Sequence, residues 1–112
     1  MTDRERKYLS DIITSIELIY SFMEDINSFE DYCDDYKTKS AIERQLGIIG
    51  EAVNKYLKTS DEAQLNFASQ IISLRNRLIH SYDNIDDTII WTIINRHLIP
   101  LHQEVSSKLS IS

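Results

Sequence analysis

An all-α fold, a four- to five-helix up-and-down bundle, is what this sequence predicts, and three observations carry the prediction. Apolar residues recur at three- and four-residue steps along nearly the whole chain, the spacing that lines one face of an α-helix. Only two glycines and one proline occur in 112 residues, so little breaks those helices. The breaks that do occur are short and polar, as links between neighbouring helices of a bundle are. A length of 112 residues with 42% hydrophobic content supports a single helical domain over residues 1–112, with one modest core.

Taken in order, Leu9, Ile12, Ile16, Ile19, Met23 and Ile26 fall on one face of a long first helix, and Ile13, Tyr20 and Phe22 widen that stripe toward a second neighbour. Asn27-Ser28-Phe29 and the polar run to Tyr36 read as a connection. A second helix follows from about Thr38, with Ile42, Leu46, Ile49, Val53 and Leu57 inward. Gly47 and Gly50 lie inside it, where each costs up to about 1 kcal/mol relative to Ala, so close approach by another helix is expected. Lys58-Thr59-Ser60-Asp61-Glu62 is the next break, with a short helical turn after Ser60. Asn66 is the expected N-cap of a third helix that carries Phe67, Ile71, Leu74 and Leu78 on its inner face. Ser81-Tyr82-Asp83-Asn84 reads as a turn, and Asp86 as the cap of a fourth helix with Ile89, Ile90, Ile93, Ile94 and Leu98 along it. The isoleucines favour strands, but their spacing and the absence of a pairing partner argue for helix. Pro100 removes a backbone donor, so it should kink this helix or start a separate last one running to about Leu109.

Composition excludes several classes. Nothing approaches 18 unbroken apolar residues, and the charged start Thr2-Asp3-Arg4-Glu5-Arg6-Lys7 leads into an amphipathic segment, so neither a signal peptide nor a membrane span is expected. The single cysteine, Cys33, can form no internal disulfide, which suits a cytoplasmic protein; with Asp31, Asp34 and Asp35 nearby it reads as an inert surface thiol. His80, His97 and His102 lack metal-ligand spacing, and no phosphate loop, nucleophile elbow or dinucleotide fingerprint occurs, so no metal or cofactor is expected. His97 and His102 read as surface residues of the last helices. The formal charge of −6 gives no overall steering toward nucleic acid, so any bound RNA must meet a local site among Arg75, Arg77, Arg96 and His97. The acidic run Glu24, Asp25, Glu30, Asp31, Asp34 and Asp35 is either a solvated helix end and loop or a face for a basic partner.

The densest chemistry is Arg75-Asn76-Arg77-Leu78-Ile79-His80-Ser81-Tyr82 at the end of the third helix. Imidazole, with an ordinary pKa of about 6.5, moves protons near neutrality. Guanidinium presents a planar fork to phosphate oxygens. Together they suffice to cleave RNA without metal: His80 moves a proton to or from the 2′-hydroxyl or the leaving 5′-oxygen, and Arg75 stabilises charge on the phosphorane. Asn76 stacks below His80 and could orient the ring, whereas Arg75 and His80 lie roughly 140° apart around an ideal helix and about 7.5 Å apart along it. They can meet only at the rim of a cleft that both border, or if the last turn unwinds at His80. The plain alternative is that these cations solvate a helix end and favour its dipole. Glu51 and Arg44, seven apart on one side of the second helix, are either an exposed salt-bridged face or a support that positions the Arg75 and His80 pair.

The string Arg75-x4-His80-x-Tyr82 within Leu74–Asp83 resembles the signature of the HepT-like branch of the HEPN superfamily. The likeness extends to Arg44-Gln45-Leu46-Gly47-Ile48-Ile49-Gly50-Glu51-Ala52 upstream and to residues 86–100 downstream, and so covers most of the chain. The resemblance implies a helical bundle of HEPN type and an endoribonuclease toxin, with Arg75 and His80 catalytic and Asn76, Arg77 and Glu51 supporting. It also implies a homodimer whose two motifs line a shared cleft, and a nucleotidyltransferase-type antitoxin that transfers AMP onto Tyr82. An AMP group there would occupy the phosphate site and repel RNA without unfolding the protein. By its residues alone Tyr82 could equally close the helix against the core or stack on a base. Two other classes stay open: a non-catalytic helical module that docks and regulates a nucleotidyltransferase through its acidic surface, and a nucleotide-binding helical domain using the same cations.

Overall fold

A computed structural model describes residues 1–81 and 85–111. The chain forms α1 (Asp3–Phe22), α2 (Phe29–Asp34), α3 (Tyr36–Leu57), α4 (Ser69–Ser81), α5 (Asp87–Thr92), a π-helical turn (Ile93–His97) and α6 (Leu98–Ile111). With α5, the π turn and α6 taken as one irregular rod, this is the expected all-α bundle, and among the described residues there is no strand. α1 lies along α3 and α6, and α4 packs on the outer side of α3. The predicted stripes meet in one core, in which Ile12, Ile16, Leu46, Ile49, Ile71 and Leu98 are wholly or almost wholly buried.

Local chemistry explains where the helices start. Thr2 accepts a hydrogen bond from the Glu5 N–H at 3.1 Å and opens α1. Asp35 accepts from the Thr38 N–H at 3.0 Å and from its hydroxyl at 2.8 Å, which starts α3 at Tyr36 and holds the Asp35 carboxyl below its usual value. Asp86 caps α5 as expected, accepting from the Thr88 N–H at 2.8 Å.

Several expectations need correction. The segment read as a connection before residue 36 contains α2, because Ser28 accepts from the Asp31 N–H at 3.1 Å and buries Tyr32 beneath Trp91, with ring centroids 5.9 Å apart. α4 begins at Ser69 rather than after Asn66: the Glu104 carboxylate on α6 takes the Asn66 and Phe67 N–H groups at 2.7 and 3.0 Å and fixes them in the preceding loop. Phe67 is therefore 53% exposed, and Ala68 takes the buried position. Ser81 belongs to α4, not to the turn, and the remaining turn positions Tyr82, Asp83 and Asn84 lie outside the described residues. His97 and His102 are half-buried. Pro100 does not begin a separate helix: α6 starts two residues earlier, at Leu98, after a π turn in which the Leu98 N–H reaches back to the Ile93 carbonyl. The Tyr20 hydroxyl donates to the neighbouring Ile94 carbonyl at 3.3 Å.

Lys39 joins three elements. Its ammonium donates to the Cys33 carbonyl at 3.4 Å and to Asp87 at 2.8 Å, tying the end of α2 and the start of α5 to α3. Cys33 is half-buried rather than a surface thiol, and its pKa is raised, first by burial and then by Asp87. Among the described residues the Tyr32 hydroxyl is buried with no hydrogen-bond partner, and burial raises its pKa well above the usual phenol value. A buried unpaired hydroxyl costs about 1–3 kcal/mol. Tyr32→Phe is therefore expected to leave stability unchanged or raise it, read as an equal or higher midpoint in urea unfolding. Leu46→Ala, which opens a cavity, should lose about 2–5 kcal/mol.

Candidate functional site

A groove of about 490 Å³ runs between α1 and α4 over the outer face of α3. Lys7, Tyr8 and Asp11 form one wall and Arg75, Leu78 and Ile79 the other; Arg44, Gly47, Ile48, Glu51, Ala52 and Lys55 form the floor. The volume falls in the range of small-ligand pockets, about 300–1,000 Å³.

Arg75 enters this groove because of Gly50. A Cβ built on Gly50 would stand 2.6 Å from the Arg75 Cβ and 2.9 Å from its Cγ, so the arginine stem lies flat across α3 only where there is no side chain. This is the close helix approach expected of the glycines. Gly47 does not share it: among the described residues a Cβ there meets nothing within 4 Å.

Beyond Gly50 the guanidinium meets Glu51, whose Oε1 accepts from Arg75 Nε at 3.0 Å and Nη2 at 2.5 Å. Arg44, the same-helix neighbour of Glu51, makes no ion pair among the described residues, so the salt-bridged face expected within the second helix is replaced by a bond between helices. The side chains of Arg75 and Glu51 are 21% and 49% exposed, and ion pairs at such sites contribute about 0–1 kcal/mol, so the pair orients the guanidinium far more than it stabilises the fold. The Arg75 hydrogen bond holds the Glu51 carboxyl below its ordinary value. One carboxylate oxygen engages the Nε and Nη2 edge, and the other N–H donors of the guanidinium have no hydrogen-bond partner among the described residues.

His80 stands elsewhere. α4 stays helical through Ser81, so the last turn does not unwind at His80, and the imidazole is exposed and not among the lining residues of the groove. Asn76 and Arg77 are also exposed on α4, and no hydrogen bond joins Asn76 to His80 among the described residues. One copy of the chain thus brings Arg75 and Glu51 together and leaves His80, Asn76 and Arg77 on a different flank of the same helix. Tyr82 lies outside the described residues. The walls from Lys7, Tyr8 and Asp11, the floor residue Lys55 and the enabling Gly50 were not among the residues singled out for the site. Among the described residues no group of three or more His, Cys, Asp or Glu could hold a metal, and no helix is long and apolar enough to cross a membrane.

The chain is a helical bundle with an arginine laid into a groove, and comparison with known proteins names its family. The chain belongs to the ribonuclease HepT-like family, whose model matches residues 12–107. It is 33% identical to a protein of Thermococcus cleftensis named "Probable ribonuclease HepT", over 88% of this chain and 89% of that one. It is also 33% identical to a protein of Caldanaerobacter subterraneus subsp. tengcongensis named "Putative RNase", over 93% of each. A protein of Methanocaldococcus jannaschii, likewise named "Putative RNase", is 36% identical over 80% of this chain and 74% of its own. No solved structure matches the chain.

The two glycines yield substitutions of opposite sign. Gly47→Ala should raise stability by up to about 1 kcal/mol through helix propensity alone. Gly50→Ala should lower it despite the same propensity gain, because the new methyl displaces Arg75; urea unfolding of the two variants side by side measures the difference. The Glu51 pKa shift also has a definite sign. A depressed folded-state pKa contributes stability above the ordinary carboxylate value, and that contribution is lost as pH falls through the folded pKa. Unfolding measured from neutrality to below about pH 4 should show a loss that is smaller in Glu51→Gln.

Proposed function

We propose that this chain is a metal-independent endoribonuclease in which Arg75 and His80 carry the chemistry, Asn76 and Arg77 support them, and Glu51 positions Arg75. The observation that carries the reading is the guanidinium held over Gly50 by Glu51 with donors left for a phosphate at the groove. Family membership and the names of the relatives support it. In the reaction the 2′-oxygen bonds to phosphorus as the bond to the 5′-oxygen breaks, giving a 2′,3′-cyclic phosphate and a 5′-hydroxyl. One proton leaves the 2′-hydroxyl and one arrives at the 5′-oxygen; His80 moves one of them, and Arg75 meets the charge that grows on the phosphorane.

Because Arg75 and His80 occupy different flanks of α4, the active unit in this reading is a homodimer, in which Arg75 of one copy faces His80 of the other across a shared cleft. The chain acts as the toxin of a pair, neutralised by a nucleotidyltransferase-type antitoxin that transfers AMP to Tyr82. The added anion would sit beside the cations that hold the RNA phosphate and compete for them. The same divergence of Arg75 from His80 favours one other reading, a helical module that docks a nucleotidyltransferase and cleaves nothing.

Purified protein incubated with bulk transfer and messenger RNA in EDTA separates the two. Cleavage with cyclic-phosphate ends is expected, falling about 10²–10⁴-fold in His80→Ala and by a comparable factor in Arg75→Ala. Equal cleavage by wild type and both variants would reject the reading, and no cleavage by the wild type at any concentration would leave the docking module.

A further inference from the structure

The groove that holds Arg75 is charged against the rest of the molecule. The chain carries −6 overall, yet four cations (Lys7, Arg44, Lys55 and Arg75) and two carboxylates (Asp11 and Glu51) line the groove, a surplus of two positive charges. Lys7 is paired with Asp11 at 2.9 Å and Arg75 with Glu51. Arg44 and Lys55 are exposed and make no ion pair among the described residues. They stand with Gly47 and Glu51 on one face of α3, within about 80° of arc, and eleven residues separate the two cations by roughly 16 Å along the axis.

Gly47 is the second, independent observation. It lies in the middle of a 22-residue helix, where glycine costs up to about 1 kcal/mol, and among the described residues no atom beyond its own stretch of helix lies within 4 Å of where its Cβ would be. Gly50 is explained by Arg75; Gly47 is explained by no contact among the described residues. A glycine whose space the protein does not use makes physical sense if a ligand uses it. The walls suit a polymer that alternates charge with flat apolar surface: Tyr8 offers a ring on one side, and Leu78 and Ile79 offer aliphatic contact on the other.

We propose that this groove is a track for single-stranded RNA. Arg44 and Lys55 hold backbone phosphates on either side of the one met by Arg75, and the bare backbone at Gly47 gives the strand its closest approach to α3. The inference rests on the ribonuclease reading above and adds which residues outside the motif grip the substrate.

The test uses the full chain carrying His80→Ala, so that bound RNA is not cut, and fluorescence anisotropy with a short labelled single-stranded RNA. Arg44→Ala with Lys55→Ala should weaken binding about tenfold or more and reduce the slope of log affinity against log salt by about 1.4, two phosphate contacts at roughly 0.7 each. Gly47→Met should weaken binding comparably because the new side chain occupies the groove, and since its Cβ meets no described atom beyond its own stretch of helix within 4 Å, thermal stability is expected to hold or rise. Affinity and salt slope unchanged in these variants would overturn the track while leaving the Arg75 and His80 reading intact. Loss of a dimer in sedimentation of Gly47→Met, with RNA affinity unchanged in the Arg44 and Lys55 variant, would assign the groove to a second copy instead. Absence of RNA binding by the parent protein would remove both the track and the nuclease reading.

Discussion

The contact on which the site depends is the one between the backbone of Gly50 and the stem of Arg75. With the Gly50 position bare, α4 lies close enough to α3 for the guanidinium to cross it and reach Glu51. With a methyl group there, a separation of 2.6 Å between carbons forces the helices apart or the arginine out of its path. Burial of the apolar stripes decides whether α4 docks at all, at about 25 cal/mol for each Å² removed from water. The single missing side chain decides where its arginine points. The Glu51 bond adds little energy at its level of exposure, but it selects one orientation of a long, otherwise mobile side chain.

Other polar contacts fix the neighbouring elements: Glu104 pins the backbone before the first turn of α4, and Lys39 ties the start of α5 to α2 and α3. Each joins residues far apart in the chain, so each sets tertiary position rather than helix formation. The outcome is a molecule that is acidic as a whole and cationic along one groove, the arrangement that attracts a polyanion to one place and discourages it elsewhere.

The helices were legible wherever apolar residues repeat over several turns, as in α1, α3 and the Ile-rich rod containing α5. The short α2 has no room for a stripe. Its signal was the capping pattern Ser28-x-x-Asp31, in which Ser28 accepts from the Asp31 N–H and Asp31 accepts from the Asn27 N–H. The start of α4 was misread because Phe67 extends the apolar run by composition, whereas the loop geometry is set by Glu104, some 37 residues later. The motif arginine and histidine stand out in the sequence, but the partner of Arg75 does not. On its own helix Glu51 has Lys55 four residues on and Arg44 two turns back, and only the packing of α4 against α3 supplies Arg75 as its hydrogen-bond partner. Gly47 and Gly50 likewise look alike in sequence, since helix propensity cannot tell a glycine packed under a neighbour from one facing open space.

Arg75 and His80 lie on different flanks of α4, and in the proposed nuclease they act on one phosphate only when two copies of the chain face each other. Subunit mixing tests this directly: inactive Arg75→Ala protein and inactive His80→Ala protein are combined, unfolded and refolded together, and assayed for RNA cleavage. A mixed pair holds one cleft with both groups intact, so cleavage should return to a substantial fraction of the wild-type rate. Mixed pairs that form and still fail to cut would contradict the claim.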